Sequence, residues 1–233
     1  MLLGLATAAK LYPALLVVPF VIGRLREGKR REAIRLTVGA AVAWLLVNLP
    51  FAALAPKGWL VFFRFNSARL ADWDSLWFIG CQTHLPGEGV CLPSSVPFVN
   101  AASALGFVVL SVFVWWAKER RHPHFERWTF GLPMIILFLL SNKVYSPQYS
   151  LWLLPWFALA LPDWKLFAAF EMADIGVFVT RFLFFAHLTS DAGLPYWPFE
   201  VALLVRAVIL VVCVTAWVIR RSEPLPVTDQ ARL

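Results

Sequence analysis

The feature that most limits what this 233-residue chain can become is its succession of long apolar runs, separated by short and mostly basic connections. Seven runs are legible, at 2–22, 33–55, 97–117, 128–141, 149–161, 166–188 and 198–219. Roughly 20 apolar residues cross a bilayer as a helix, which marks the fourth and fifth runs as the short ones. Hydrocarbon offers no partner to a backbone N–H or C=O, so each run must satisfy its own backbone, and continuous apolar runs do so as helices. The expected fold is all-α, a polytopic transmembrane helical bundle of about seven spans. Residues 1–222 read as one transmembrane domain and 223–233 as a short cytoplasmic tail. Hydrophobic residues at 60% against 15% charged place the chain outside the soluble globular range. The polar, Pro147-containing stretch between the fourth and fifth runs leaves two possibilities. They are either full helices meeting near one face or broken elements shielded by protein.

Lys and Arg then assign sides. Fourteen of the 21 fall in one set of alternate connections, whereas Lys57, Arg64, Arg69 and Lys143 are the four in the other set. The positive-inside rule puts the richer set in the cytoplasm, so the net charge of +7 calls for no nucleic acid. The reading is a multi-pass protein of the plasma membrane, with a cytoplasmic C-terminus and a long extracytoplasmic loop at 56–96. The first run would then enter from outside with no basic signal region before it, which suits the C-terminal part of a longer chain. Cys81 and Cys91 share the outer loop, where oxidising conditions allow a disulfide between them. No CxxC spacing occurs and the four His are scattered, so no metal site is expected. Gly87-Glu88-Gly89 lacks the following helix of a nucleotide site, so no cofactor is expected.

Three stretches carry polar groups where a membrane protein has few. In the outer loop, residues 64–77 read as a helix with Trp59, Phe62, Phe63, Leu70, Trp73 and Trp77 on one stripe. Arg64, Asp72 and Ser75 lie opposite, with Arg69 and Asp74 on the flanks. Such a helix lies in the membrane interface, either as a connector or as a holder of phosphate or sugar. Lys10-Leu11-Tyr12-Pro13 sits inside the first run, where a central Lys costs about 2.5–3.5 kcal/mol. Its role is either snorkelling or lining a cavity. The third stretch, Ser141 to Tyr149, packs Lys143, Tyr145, Gln148 and Tyr149 around Pro147, and such backbone is tolerated where it lines a cavity. Glu171, Asp174, Arg181 and Arg206 lie within the last two runs and read most simply as pairs inside the bundle.

Lys10-Leu11-Tyr12-Pro13 and Lys143-Val144-Tyr145-Ser146-Pro147-Gln148-Tyr149 resemble the "K-x-Pro" and "K-x-x-S-P-Q-Y" segments of glycosyltransferase family 87. That family comprises polyprenol-phosphate-dependent mannosyltransferases of the GT-C superfamily. The stretch from Arg69 to Trp77 is similar to an outer-loop helix of actinobacterial members. The resemblance implies a GT-C-like domain that moves a hexose, often mannose, from a polyprenyl-phosphate carrier to a glycolipid or glycan outside the membrane. It also implies a catalytic carboxylate in a first outer loop that has no counterpart here.

Chemistry assigns candidate roles independently. A sugar leaving a lipid phosphate needs a carboxylate base for the acceptor hydroxyl and cations for the departing phosphate. Arg69 and Lys143 are the expected phosphate ligands, with Arg64, Ser75, Lys10, Tyr12, Tyr145, Gln148 and Tyr149 as further substrate contacts. Asp72 and Asp74 are candidates for the base, for sugar ligands, or for partners that fix Arg69. The alternative is a transporter or flippase of a lipid-linked amphipathic substrate, which would use the same intramembrane charges. The two halves show no internal repeat, as many transporters would.

Overall fold

The structure is a computed structural model that describes residues 1–82, 92–190 and 192–221. Among them the regular elements are all helical. In chain order they are α1 (Leu2–Ala9), α2 (Pro13–Arg26), α3 (Arg30–Leu54), α4 (Pro56–Ala68) and α5 (Leu76–Gln82), followed by α6 (Val96–Arg121) and α7 (Gly131–Ser141). The last three are α8 (Leu154–Ala160), α9 (Trp164–Thr189) and α10 (Tyr196–Ile219). Short 3-10 turns at Pro93–Ser95, Arg127–Phe130 and Pro147–Trp152 lead into α6, α7 and α8.

Among the described residues three helices are long and apolar enough to cross a membrane: Arg30–Leu54, Pro93–Arg121 and Tyr196–Ile219. Their outer faces carry exposed Val, Leu and Phe side chains, among them Leu46, Leu49, Leu105, Val112, Phe113 and Val208. Water would penalise such faces, and lipid accepts them. The other expected runs take different forms. Run 2–22 divides at Lys10-Leu11-Tyr12 into α1 and α2, with Pro13 supplying the first turn of α2, where its missing N–H costs nothing. Run 166–188 is α9, 26 residues long but interrupted by Glu171, Asp174 and Arg181.

The fourth run is a short element inside protein, whereas the fifth is broken into a 3-10 turn and α8, with Leu153 and Phe157 buried and Leu151 and Leu159 exposed. α7 has 11 residues, about 16 Å of rise, too short to span. It is apolar on all sides and accordingly central, with Gly131 to Leu137 and Leu139 buried. Around it the main core gathers Leu153, Phe157, Phe170, Leu210 and Trp217. Gly131 has no Cβ for a physical reason: one would collide with the Trp156 ring that packs over it.

The expected helix over 64–77 is corrected. α4 stops at Ala68, residues 69–75 are non-helical, and α5 begins at Leu76. Local side chains compete with the helix ladder at this point. The Asp72 carboxylate accepts from Trp73 N at 3.0 Å, and the Ser75 hydroxyl donates to Asp72 O at 2.7 Å. The disulfide expected between Cys81 and Cys91 lies outside the described residues, as does the tail at 223–233.

Candidate functional site

A cavity of about 770 Å³ lies between the α1–α2 junction, α3, α4, α6 and the segment 141–152. Most of its wall is aromatic or apolar, including Trp44, Trp59, Phe62, Phe63, Phe107 and Phe138. Polar groups enter from Lys10, Asn142 and Lys143. Lys10 caps α1 in an extended conformation, and its exposed ammonium has neither an ion pair nor a hydrogen bond among the described residues. Trp152 stacks between Tyr12 and Tyr149, 4.0 Å from each ring centroid, so three rings join the two Lys-containing segments. Such parallel, offset stacking fixes ring positions as well as adding attraction.

Of the residues singled out in the sequence, Lys10, Tyr12, Lys143 and Tyr149 line this cavity. Arg69 borders it: its charge reaches both Lys143 and Tyr149, and its guanidinium stands 3.5 Å from Asp72 Oδ2. Arg64 and Gln148 are exposed and do not line the cavity, and Ser75 is fully buried in the 69–75 turn. Lys143 is buried, and its ammonium donates to Arg69 O at 2.5 Å and Ser67 O at 3.4 Å. It therefore closes the carbonyl end of α4, where a cation also meets the negative end of the helix dipole. Burial, with the Arg69 charge adding to it, pulls the Lys143 ammonium below its ordinary pKa.

α4 is held over the cavity from several sides. Asn48 of α3 accepts from Trp59 Nε1 at 3.0 Å, and Asn100 of α6 donates to Ser67 O at 2.8 Å. Asp72 N donates to Lys143 O at 2.8 Å. Reading the sequence for charges passed over Asn48, Asn100 and Trp152. Amides placed inside apolar runs were the available signal for the first two.

Behind the cavity wall lies a buried ionic network. Arg181 Nη1 meets Asp74 Oδ2 at 2.9 Å, and Arg206 Nη2 donates to Asp74 O at 2.9 Å. The other arm of the Arg206 fork meets Asp174 Oδ1 at 2.9 Å. Asp174 also accepts from the Ser150 hydroxyl at 2.8 Å, which leaves Tyr145 OH as the donor in its 3.3 Å contact with Ser150 Oγ. The Arg206 guanidinium lies 3.8 Å over the Tyr145 ring. Two helices, the loop turn and the 143–150 segment are thus pinned to one another. Asp74 Oδ1 is buried without a partner among the described residues. Burial, outweighing the pull of Arg181 and Arg206, pushes the Asp74 carboxyl up to about 6. Burial likewise raises the Tyr145 phenol.

Asp74, Ser75 and Tyr145 are therefore framework groups in this conformation. No carboxylate lines the cavity among the described residues; Asp72 comes nearest in effect, because its charge reaches Tyr149. Nor do the described residues gather a set of His, Cys, Asp and Glu able to hold a metal ion.

No curated protein and no solved structure matches this chain. The model of glycosyltransferase family 87 matches residues 1–142. That match takes in four of the five cavity walls, with Lys10, Tyr12 and the 69–75 turn, and it ends one residue before Lys143. It covers more than half of the sequence, and the chain belongs to glycosyltransferase family 87.

Proposed function

We propose that this chain is a membrane glycosyltransferase that moves a hexose, mannose in the first instance, from a polyprenyl-phosphate carrier to a glycolipid or glycan on the extracytoplasmic side. The observation that carries this reading is the cavity, whose mostly aromatic and apolar wall is joined by an unpaired Lys10 and a bordering Arg69. Lipid phosphate and sugar together present that combination of apolar and anionic surface. In the reaction, the acceptor hydroxyl gives its proton to a carboxylate and its oxygen bonds to C1 of the sugar. The bond from C1 to the phosphate oxygen breaks, and the phosphate leaves with the electron pair. Lys10 and Arg69 would hold that developing charge, and Asp72 is the base candidate of the described residues.

The test is transfer from radiolabelled polyprenyl-phosphate mannose by the full chain in membranes. Lys10→Ala and Asp72→Asn should each lower transfer by ~100-fold or more, the loss that follows removal of one transition-state contact. Near-normal transfer by both variants would remove these residues from the site. Movement of the labelled lipid across the membrane without transfer would favour the transporter reading.

A further inference from the structure

The end of α2 away from the cavity borders a second hollow. About 430 Å³ lies between its last turns and the stretch 124–128 that leads from α6 towards α7. The two segments come close because Gly23 lacks a side chain, and a Cβ there would sit 3.3 Å from Arg127 Cβ. The floor is apolar, built from Pro19, Phe20, Phe125 and Trp128, and the rim is ionic.

Most rim charges are already engaged. Arg24 is held by Glu27 at 2.9 Å and Glu32 at 3.4 Å. Arg127 donates to Glu119 at 3.1 Å and to the carbonyls of Phe125 and Pro123 at 2.9 and 2.7 Å. What remains is Arg26, 61% exposed and held only by a long 3.8 Å ion pair to Glu119, the exposed His124, and Glu126, whose carboxylate makes no hydrogen bond or ion pair among the described residues although its charge reaches Arg127. One available cation and one available carboxylate above an apolar floor suit a zwitterion attached to a hydrocarbon body. An anionic headgroup would leave Glu126 facing a negative charge. A trimethylammonium has no N–H to give to that carboxylate.

We propose that this hollow binds the headgroup of a phosphatidylethanolamine-type lipid, with its phosphate on Arg26, its ammonium on Glu126 and its glycerol end over Phe20 and Trp128. Basic pockets between membrane helices hold lipid phosphates, the guanidinium fork matches two phosphate oxygens, and Glu126 adds the acceptor that an ammonium needs. α2 has 14 residues, about 21 Å, and its far end carries Tyr12 and Leu15 to the cavity. A lipid in the hollow steadies the helix that forms that wall. This inference stands apart from the transferase reading, because binding is measured without activity.

The experiment uses the full chain in detergent, titrated with phosphatidylethanolamine, phosphatidylcholine and phosphatidylglycerol of matched acyl chains and read by native mass spectrometry. Phosphatidylethanolamine should bind at least tenfold tighter than the other two. Arg26→Gln and Glu126→Gln should each abolish that margin without moving the lipid-free melting temperature, since both side chains lie at the surface. Glu126→Lys should turn the preference to phosphatidylglycerol. Soluble glycerophosphoethanolamine at equal concentration should not compete. Equal or tighter phosphatidylglycerol binding by the native chain would overturn the proposal. So would a margin that survives Glu126→Gln, an unchanged preference in Glu126→Lys, or competition by the soluble headgroup.

Discussion

At the scale of single residues, several cations in this chain act on neighbouring protein groups. Lys118 is buried and donates to the carbonyls of Trp217 and Arg220 at 2.6 Å each, closing the end of α10 as Lys143 closes α4. Arg206 spans two acceptors with one fork. Removing it as Arg206→Met leaves Asp174 and the Asp74 carbonyl without that partner, and a broken buried pair costs about 3–5 kcal/mol. The melting temperature should fall accordingly, with only partial recovery in Arg206→Lys, because an ammonium lacks the fork. Asp74 adds a pH signature. Its folded pKa of about 6 lies above the ordinary 3.8, so the native state takes up a proton first. Its contribution is therefore fully present below about pH 4 and lost as pH rises through 6, amounting to about 3 kcal/mol. Melts from pH 4 to 7 should show the native chain losing ground to Asp74→Asn as pH rises; a constant difference would mean an ordinary carboxyl. That acids and bases of the last two runs pair inside the bundle was legible in sequence and holds for Asp174 with Arg206, whereas Arg181 turns to Asp74. The part played by Asp74 was not, because its partners stand 107 and 132 residues away.

At the scale of elements, the instructive failure is the helix expected over 64–77. Aromatic spacing is a statement about faces, and it continued past Ala68 although the backbone did not. Asp72 gives the Trp73 N–H an acceptor outside the helix ladder, and Lys143 supplies a distant cap that makes the stop at Ala68 stable. The Asp was visible in sequence, but the cap was not. Lys143→Met should therefore loosen α4 as well as alter the cavity, leaving the Arg69 carbonyl short of its donor at about 1–3 kcal/mol, whereas Ser67 O keeps its bond from Asn100. Faster amide exchange over 65–69 would register it, and unchanged exchange would show that α4 ends there unaided. The shortness of runs 128–141 and 149–161 left full helices and shielded pieces equally open, because length alone could not choose between them; α7 is the shielded piece. α7 is so closely packed that Gly131→Ala should cost about 1–3 kcal/mol, as overpacking does, through the Trp156 ring.

At the scale of the whole molecule, the charge asymmetry read along the sequence reappears as an asymmetry of position. The basic end of α6 lies against the end of α10, since Lys118 bonds to Trp217 and Arg220 carbonyls. Arg26, the last residue of α2, approaches Glu119 of the same α6 end, and Arg220 pairs with Asp163 before α9 at 2.6 Å. Asn100, near the other end of α6, bonds to Ser67 beside the cavity, and Lys143 and Arg69 belong to that side. Folding thus gathers the basic connections at one end and the cavity at the other, an arrangement the sequence count could suggest only if successive runs alternated in direction. We propose from the positive-inside rule that the gathered end faces the cytoplasm and the cavity faces outward. A reporter active only in the cytoplasm should work when fused after Arg121 or after Arg221 and fail when inserted at Glu88. Because the ends of α6 and α10 touch, the two fusions must agree; activity in only one would contradict the packing as well as the orientation. Activity at Glu88 with silence at both ends would invert the molecule and place the cavity, with Lys10 and Arg69, on the cytoplasmic face.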